Sequence, residues 1–379
     1  MEPRLKILVV SHNCVLTSAQ ERLVELSKIA DEKPVLLVPP KNLETQGMVA
    51  LEKTHDPRYD IVRGRPLLSL VFGKRYFQFY PFMSRLLLRV RPDVIDLHEE
   101  PWSLVAFHTI LLRNQLLPEA KVIIETEQNI FKRFPPPFSQ FERFVQRHAD
   151  AMLARNSEVI EVLKRKGYAG KIEISPNGLD TNIFKKVDSA DLREKLELKN
   201  FTAGFIGKIG VEKGIEELLR AAASSDKPID LLLVGSGPDK AKLRRVEASL
   251  SFKGRVVWHP AVEQKNVPRY LGCIDALVLP SRTTATWKEQ FGRILVEAMA
   301  CGVPVVGSDS GAIPEVIGDA GMIFPEGDAG ALFKVLEKLG SDENYRRELI
   351  KRGLKKVEEQ YSWSAVVKQL MRLFGELQD

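Results

Sequence analysis

Ser175-Pro176-Asn177-Gly178-Leu179-Asp180 is the stretch on which the reading of this 379-residue chain turns. Pro176 lacks an N–H and stops the apolar run before it, and Asn177-Gly178 is a turn pair. The polar residues that follow, to Asn200, read as a linker with a short helix. Ahead of this seam lie six short aliphatic runs, at 6–10, 35–38, 94–97, 122–125, 151–154 and 172–174. Behind it lie six more, at 203–206, 230–234, 256–258, 276–279, 303–307 and 321–323. Amphipathic stretches such as 18–30, 214–223 and 239–250 separate them. Strand and helix in strict alternation imply parallel sheets covered on both faces. Two series, in a chain long enough for two domains at roughly 100–200 residues each, predict an α/β molecule with two Rossmann-like, doubly wound parallel-sheet domains. The predicted boundaries are 1–180 and 181–362, with a last helix at 363–379 returning to the first domain. Ligands of such sheets bind beyond the carboxyl ends of the strands, so two sheets facing a cleft would bring two substrates together.

Composition narrows the function. With 44% hydrophobic and 28% charged residues the chain reads as an ordinary globular protein. The net charge of +6 is uneven, roughly +5 before residue 186 and roughly +1 after it, which suits a phosphate-rich substrate or an anionic surface. Cys14, Cys273 and Cys301 are far apart and form no CxxC pair, which argues against a disulfide framework or zinc site and for a reducing cytoplasm. The first residues run straight into Ile7-Leu8-Val9-Val10 without a signal-peptide pattern, and the apolar runs fall short of the roughly 18–20 residues that a membrane span needs. Any membrane contact is therefore expected to be peripheral, at the inner face.

The densest chemical signal is Glu289-Gln290-Phe291-Gly292-Arg293-Ile294-Leu295-Val296-Glu297, continuing through Ala298-Met299-Ala300-Cys301-Gly302-Val303-Pro304. Gly292 stands where a loop enters a helix, and a helix N-terminus favours negative charge. A carboxylate accepts hydrogen bonds from paired hydroxyls, so one glutamate can hold a sugar and the other a ribose. Surface helices are full of glutamate, but this helix is otherwise apolar, and a buried Glu297 needs partners. The glycines at 207–214 and 235–237 do not make a GxGxxG loop, which argues against a dinucleotide site.

The Glu289 to Glu297 spacing, with Gly311-Ala312-Ile313-Pro314-Glu315, Gly207-Lys208 to Lys213-Gly214, Gly235-Ser236-Gly237-Pro238 and the seam itself, resembles the family-4 glycosyltransferases, retaining enzymes of the GT-B fold. The resemblance implies that Lys208 and Lys213 bind a donor diphosphate and that Glu289 contacts the donor sugar. Gly207, Phe291, Gly292 and Arg293 would lie along the phosphates and sugar, Glu297 would hold the ribose, and Gly235 and Val262 would border the base. The expected reaction is hexosyl transfer from a UDP- or GDP-linked sugar to a glycan or lipid-linked acceptor, as in polysaccharide biosynthesis. No Asp-x-Asp occurs in the chain, so a metal-independent enzyme without cofactor is expected, its cations supplied by lysine.

Three departures from the family pattern matter, one in the second half and two in the first. Lys208 stands where the family usually has arginine, which keeps the charge and loses the fork. The loop after the first strand, Ser11-His12-Asn13-Cys14-Val15-Leu16-Thr17-Ser18, lacks the family's glycines, leaving Thr17, Ser18 and a helix N-terminus as donors. Glu127, Gln128 and Asn129 stand where many relatives carry a histidine, and Glu127 or Gln128 is the expected replacement. His98 is either a second cleft residue or a structural histidine. Between Arg58 and Arg91 eight basic residues face the single acid Asp60, interleaved with Phe72, Tyr76, Phe77, Phe79, Tyr80 and Phe82. Phe131-Lys132-Arg133-Phe134 adds a second such cluster. This mixture suits an anionic membrane surface or a lipid diphosphate, or else aromatics serve as core and arginines as rim; nothing else favours nucleic acid. The competing readings are a non-catalytic nucleotide-sugar-binding protein and a GT-B epimerase or phosphorylase.

Overall fold

The strand Ile229–Val234 is buried along its whole length, as a central parallel strand covered on both faces must be. Each fully buried Leu or Val there contributes about 1.5–3 kcal/mol relative to exposure. The computed structural model describes residues 5–44, 47–67 and 77–378. Its contacts separate two units, Met1–Gly178 with Trp363–Asp379, and Leu179–Ser362, so the seam falls two residues before the expected boundary.

In the first unit the strands are β1 (Ile7–Ser11), β2 (Val35–Val38), β3 (Lys41–Glu44), β4 (Gly47–Ala50), β5 (Asp60–Arg63), β6 (Val94–His98), β7 (Lys121–Thr126), β8 (Ala151–Ala154) and β9 (Lys171–Ile174). Seven form a parallel sheet in the order β5-β2-β1-β6-β7-β8-β9, and β3 and β4 make a separate antiparallel hairpin. The hairpin and β5 escape the sequence reading. β5 is only four residues long, has charged ends and lies at the sheet edge, where burial imposes no apolar pattern. One face of the sheet packs on the helices Thr17–Ile29 and Trp363–Gln378. Val367, Leu370, Leu373 and Phe374 of the last helix are buried in that core, and Gln369 Nε2 donates to the carbonyl of Ile174 at 3.0 Å. The helix therefore belongs to the first unit.

The second unit holds β10 (Phe201–Ile206), β11 (Ile229–Val234), β12 (Val256–His259), β13 (Ala276–Leu279), β14 (Val305–Ser308) and β15 (Gly321–Phe324), all parallel, in the order β12-β11-β10-β13-β14-β15. The strand order reverses between β10 and β13, the switch point where α/β sheets open a crevice beyond their carboxyl ends. The six strands expected from sequence are all present within a residue or two.

Candidate active site

The loop leaving β10 carries both lysines. Its single tight turn, Val211–Lys213, ends at Gly214, whose φ of +63° is left-handed. A Cβ on Gly214 would come within 1.8 Å of the carbonyl oxygen of Pro280, so only glycine lets this loop close against the end of β13. That closure sets Lys213 beside Ser281 and the segment after it. Lys213 Nζ lies 2.6 Å from Glu289 Oε2, which also accepts from Ser281 Oγ at 3.0 Å. The ammonium sits 4.5 Å from the centre of the Trp287 ring, a cation–π contact. Trp287 is itself fixed by a turn in which its N–H donates to Thr284 Oγ1 at 3.0 Å. The backbone of Glu289 is held from the far side: Ala312 N–H donates to its carbonyl at 3.0 Å, and Gly311 has no room for a Cβ there.

Gly292 opens the helix Arg293–Ala300 at φ +77°, and its N–H-bearing turn begins three residues after Glu289. Phe291 is buried edge-on against Tyr361, with ring centres 5.8 Å apart, so its side chain anchors the loop and leaves only its backbone to the site. Glu297 is buried in that helix, with Arg293 Nε at 3.2 Å and a hydrogen bond from the side chain of Gln264. Burial raises its pKa to about 7, against the opposing pull of Arg293 and Gln264. Gln264 follows Val262, which packs half-buried on the core, so the loop after β12 reaches the second glutamate. Gly207 and Gly235 are stacked backbone to backbone, a Cβ on Gly235 meeting the Gly207 carbonyl oxygen at 1.9 Å.

Of the residues expected from sequence, Lys213, Glu289, Gly292, Arg293 and Glu297 thus cluster on the carboxyl side of one sheet. Lys208 stands apart from the pair: its exposed amine is 3.6 Å from Glu212 Oε1 on its own loop. Ser281, Trp287 and Gln264 were not singled out by sequence; their signal is only that they flank the motif or the base-side loop. The raised Glu297 carboxyl gives a pH test. Between its ordinary 4.5 and about 7 the folded chain holds a proton that the unfolded chain has lost, so stability falls as pH rises through that window. Melting curves over this range are expected to slope less for Glu297→Gln than for the natural chain; parallel curves would refute the assignment.

In the first unit the expected residues enter a buried charge network. Arg22 donates to Asp96 Oδ2 and Glu125 Oε2, each at 2.8 Å. His98 Nε2 lies 3.1 Å from Asp96 Oδ2. Burial and Arg22 act to lower the His98 pKa, but Asp96 and Glu125 outweigh them and lift it to about 10. Arg155 pairs with Glu125 and donates through Nε to Glu127 Oε1 at 3.0 Å. Glu127 remains 43% exposed, so it is the carboxylate this network presents to solvent. Gln128 Oε1 accepts from Lys166 at 3.1 Å, and the buried Asn129 donates to Glu158 at 3.1 Å, so both tie the loop to the helix Ser157–Arg165 and its end. Ser18 lies in the first turn of its helix, where Glu52 already accepts from Thr17 N–H at 2.7 Å.

Of the aromatic residues, Phe72 and Tyr76 lie outside the described residues. Tyr80 is core, donating to Gln78 Oε1 at 2.8 Å, while Phe77 packs on Phe138 and Phe134 stacks on Trp102. Lys132 and Arg133 are exposed. Among the described residues no cluster of three His, Cys, Asp or Glu side chains is arranged to hold a metal ion, and no helix is long and apolar enough to cross a membrane. The three cysteines are buried and free.

Two parallel Rossmann-like sheets, with paired basic and acidic side chains beyond one of them, define a GT-B fold, and the matching families decide its class. The profile of the glycosyl transferases group 1 matches residues 188–356 and that of glycosyltransferase family 4 matches 37–183, together most of the chain. The chain belongs to this glycosyltransferase family. It is 27% identical over 319 residues to the N-acetyl-alpha-D-glucosaminyl L-malate synthase of Bacillus anthracis, covering 79% of this chain and 81% of the relative. Its fold matches sucrose-phosphate synthase from Thermosynechococcus elongatus at a TM-score of 0.69 and 20% identity, each chain covered to 99%. It also matches HepE of Anabaena, solved in complex with UDP, at 0.74 and 16% identity, over 98% of this chain and 100% of that one.

Proposed function

We propose that the enzyme takes a hexose from a UDP- or GDP-linked donor held by the second unit and transfers it, with retention, to a glycan or lipid-linked acceptor. The observation that carries this reading is the Lys213–Glu289 pair at 2.6 Å, three residues ahead of the left-handed Gly292 that starts a helix. A departing nucleoside diphosphate develops negative charge, and a fixed ammonium and helix N-terminus stabilise it without reorganising. Lys213, and Lys208 once drawn from Glu212, supply the positive charge a divalent cation would otherwise bring. Glu289 accepts from the sugar hydroxyls and Glu297 from the ribose, while the loop around Val262 and Gly235 borders the base. The bond from the anomeric carbon to the phosphate oxygen breaks as the acceptor oxygen bonds on the same face. The acceptor proton passes to the leaving phosphate, so no separate base is required. Glu127, anchored by Arg155, orients an acceptor hydroxyl in this reading. The exposed Lys132 and Arg133 beside aromatic residues support a phosphate-bearing acceptor at an anionic membrane face.

Thermal shift against UDP, GDP and ADP, followed by turnover of the matching hexose donors with the product anomer read by NMR, tests the whole. At least one diphosphate is expected to raise the melting temperature, and the product is expected to keep the donor's anomeric configuration. No shift with any of the three refutes the donor site; an inverted product refutes the mechanism.

A further inference from the structure

We propose that Glu289 discriminates the sugar-bearing donor from the spent diphosphate by competing with phosphate for Lys213. The proposal rests on the reading of this site as a diphosphate-sugar site. The Lys213 ammonium and the Glu289 carboxylate are largely shielded, their side chains 17% and 12% exposed, so their attraction is only partly screened by water. A diphosphate that approaches Lys213 meets Glu289 at the same ammonium, and two anions then share one cation. The sugar decides between them. Donor hydroxyls offer Glu289 replacement hydrogen bonds, alongside the one it keeps from Ser281 Oγ at 3.0 Å, and the carboxylate can surrender the lysine. A bare diphosphate offers none, so Glu289 retains its claim on Lys213 and weakens the product's hold. The Trp287 face, 4.5 Å from the ammonium, keeps Lys213 in place in either arrangement, so the exchange needs no movement of the loop. Glu289 thereby acts as a specificity-determining residue that links loss of the sugar to loss of the nucleotide.

The test is calorimetric binding of free UDP or GDP, whichever the natural chain binds, to Glu289→Gln and to Glu289→Ala, with melting curves to confirm that each is folded. Removing the competing charge is expected to tighten binding of the free diphosphate by about two- to fivefold, the range of a partly exposed ion pair, while turnover of the donor falls. Equal or weaker diphosphate binding by both folded variants overturns the proposal while leaving the donor site intact. Failure of the natural chain to bind either diphosphate overturns the donor site itself, and this inference with it.

Discussion

Lys213→Ala is expected to lower turnover of the donor by about 10²–10³-fold, the typical effect of deleting one fixed group that stabilises transition-state charge. Lys213 meets the requirements for so large an effect. It is rooted in a turn that closes only because Gly214 adopts φ +63° against Pro280. Its amine lies 4.5 Å from the centre of the Trp287 ring, which keeps it in place after Glu289 has turned to the donor sugar, so little ordering remains to be done when charge develops on the leaving group. Lys208 alone cannot make up the loss, because it is more exposed and must first be drawn from Glu212 on its own loop. Lys213→Arg keeps the charge but exchanges a compact ammonium for a planar fork, and is expected to recover only part of the loss. Steady-state kinetics with the hexose donor, alongside melting curves, measure this. A fall of less than about fivefold in the alanine variant would place the charge stabilisation elsewhere.

The second large effect concerns stability. Arg22→Met is expected to destabilise the first unit by about 3–5 kcal/mol, because it leaves buried carboxylates without their cation. Arg22 has a side chain 5% exposed between Asp96, which is fully buried, and Glu125, which is 7% exposed. Arg155 still reaches Glu125, but among the described residues Asp96 would keep only His98 as a cationic partner. For a unit of this size the loss corresponds to a fall of roughly 6–20 °C in melting temperature. Calorimetry of the purified variant decides the matter; a midpoint within about a degree of the natural chain would mean that the network does not carry the stability assigned to it.

Legibility in the sequence followed burial. The strands of both sheets could be read because a parallel strand covered on two faces has to be apolar throughout, as in Ile229–Val234. The hairpin of β3 and β4 and the edge strand β5 could not, because the hairpin stands outside the parallel sheet and β5 is four residues with charged ends. The cluster in the second unit was legible because its residues are local: Glu289, Gly292 and Glu297 fall within nine residues, and the loop that carries Lys213 is marked by glycine. Trp287 was missed because its cationic partner, Lys213, is remote in sequence and their contact depends on how the loop after β10 meets the end of β13; Ser281 was missed because its bond to Glu289 Oε2 leaves no pattern in the sequence. In the first unit, Arg22, Asp96, Glu125 and Arg155 lie far apart along the chain. Their one signal was a charged residue placed inside an apolar strand, such as Asp96 in Val94–His98.

The two crossings between units lie side by side. Leu179 N–H donates to the carbonyl of Tyr361 at 2.8 Å, and Gly178 leaves no space for a Cβ against the Trp363 ring. The second unit thus starts and finishes one hydrogen bond apart, in the manner of a cassette plugged into a single gap of the first. For the gene, that geometry makes the second unit a portable part: one contiguous reading frame can be exchanged without rethreading the sheet around it. A lineage could replace that whole unit while keeping the first unit's chain path intact.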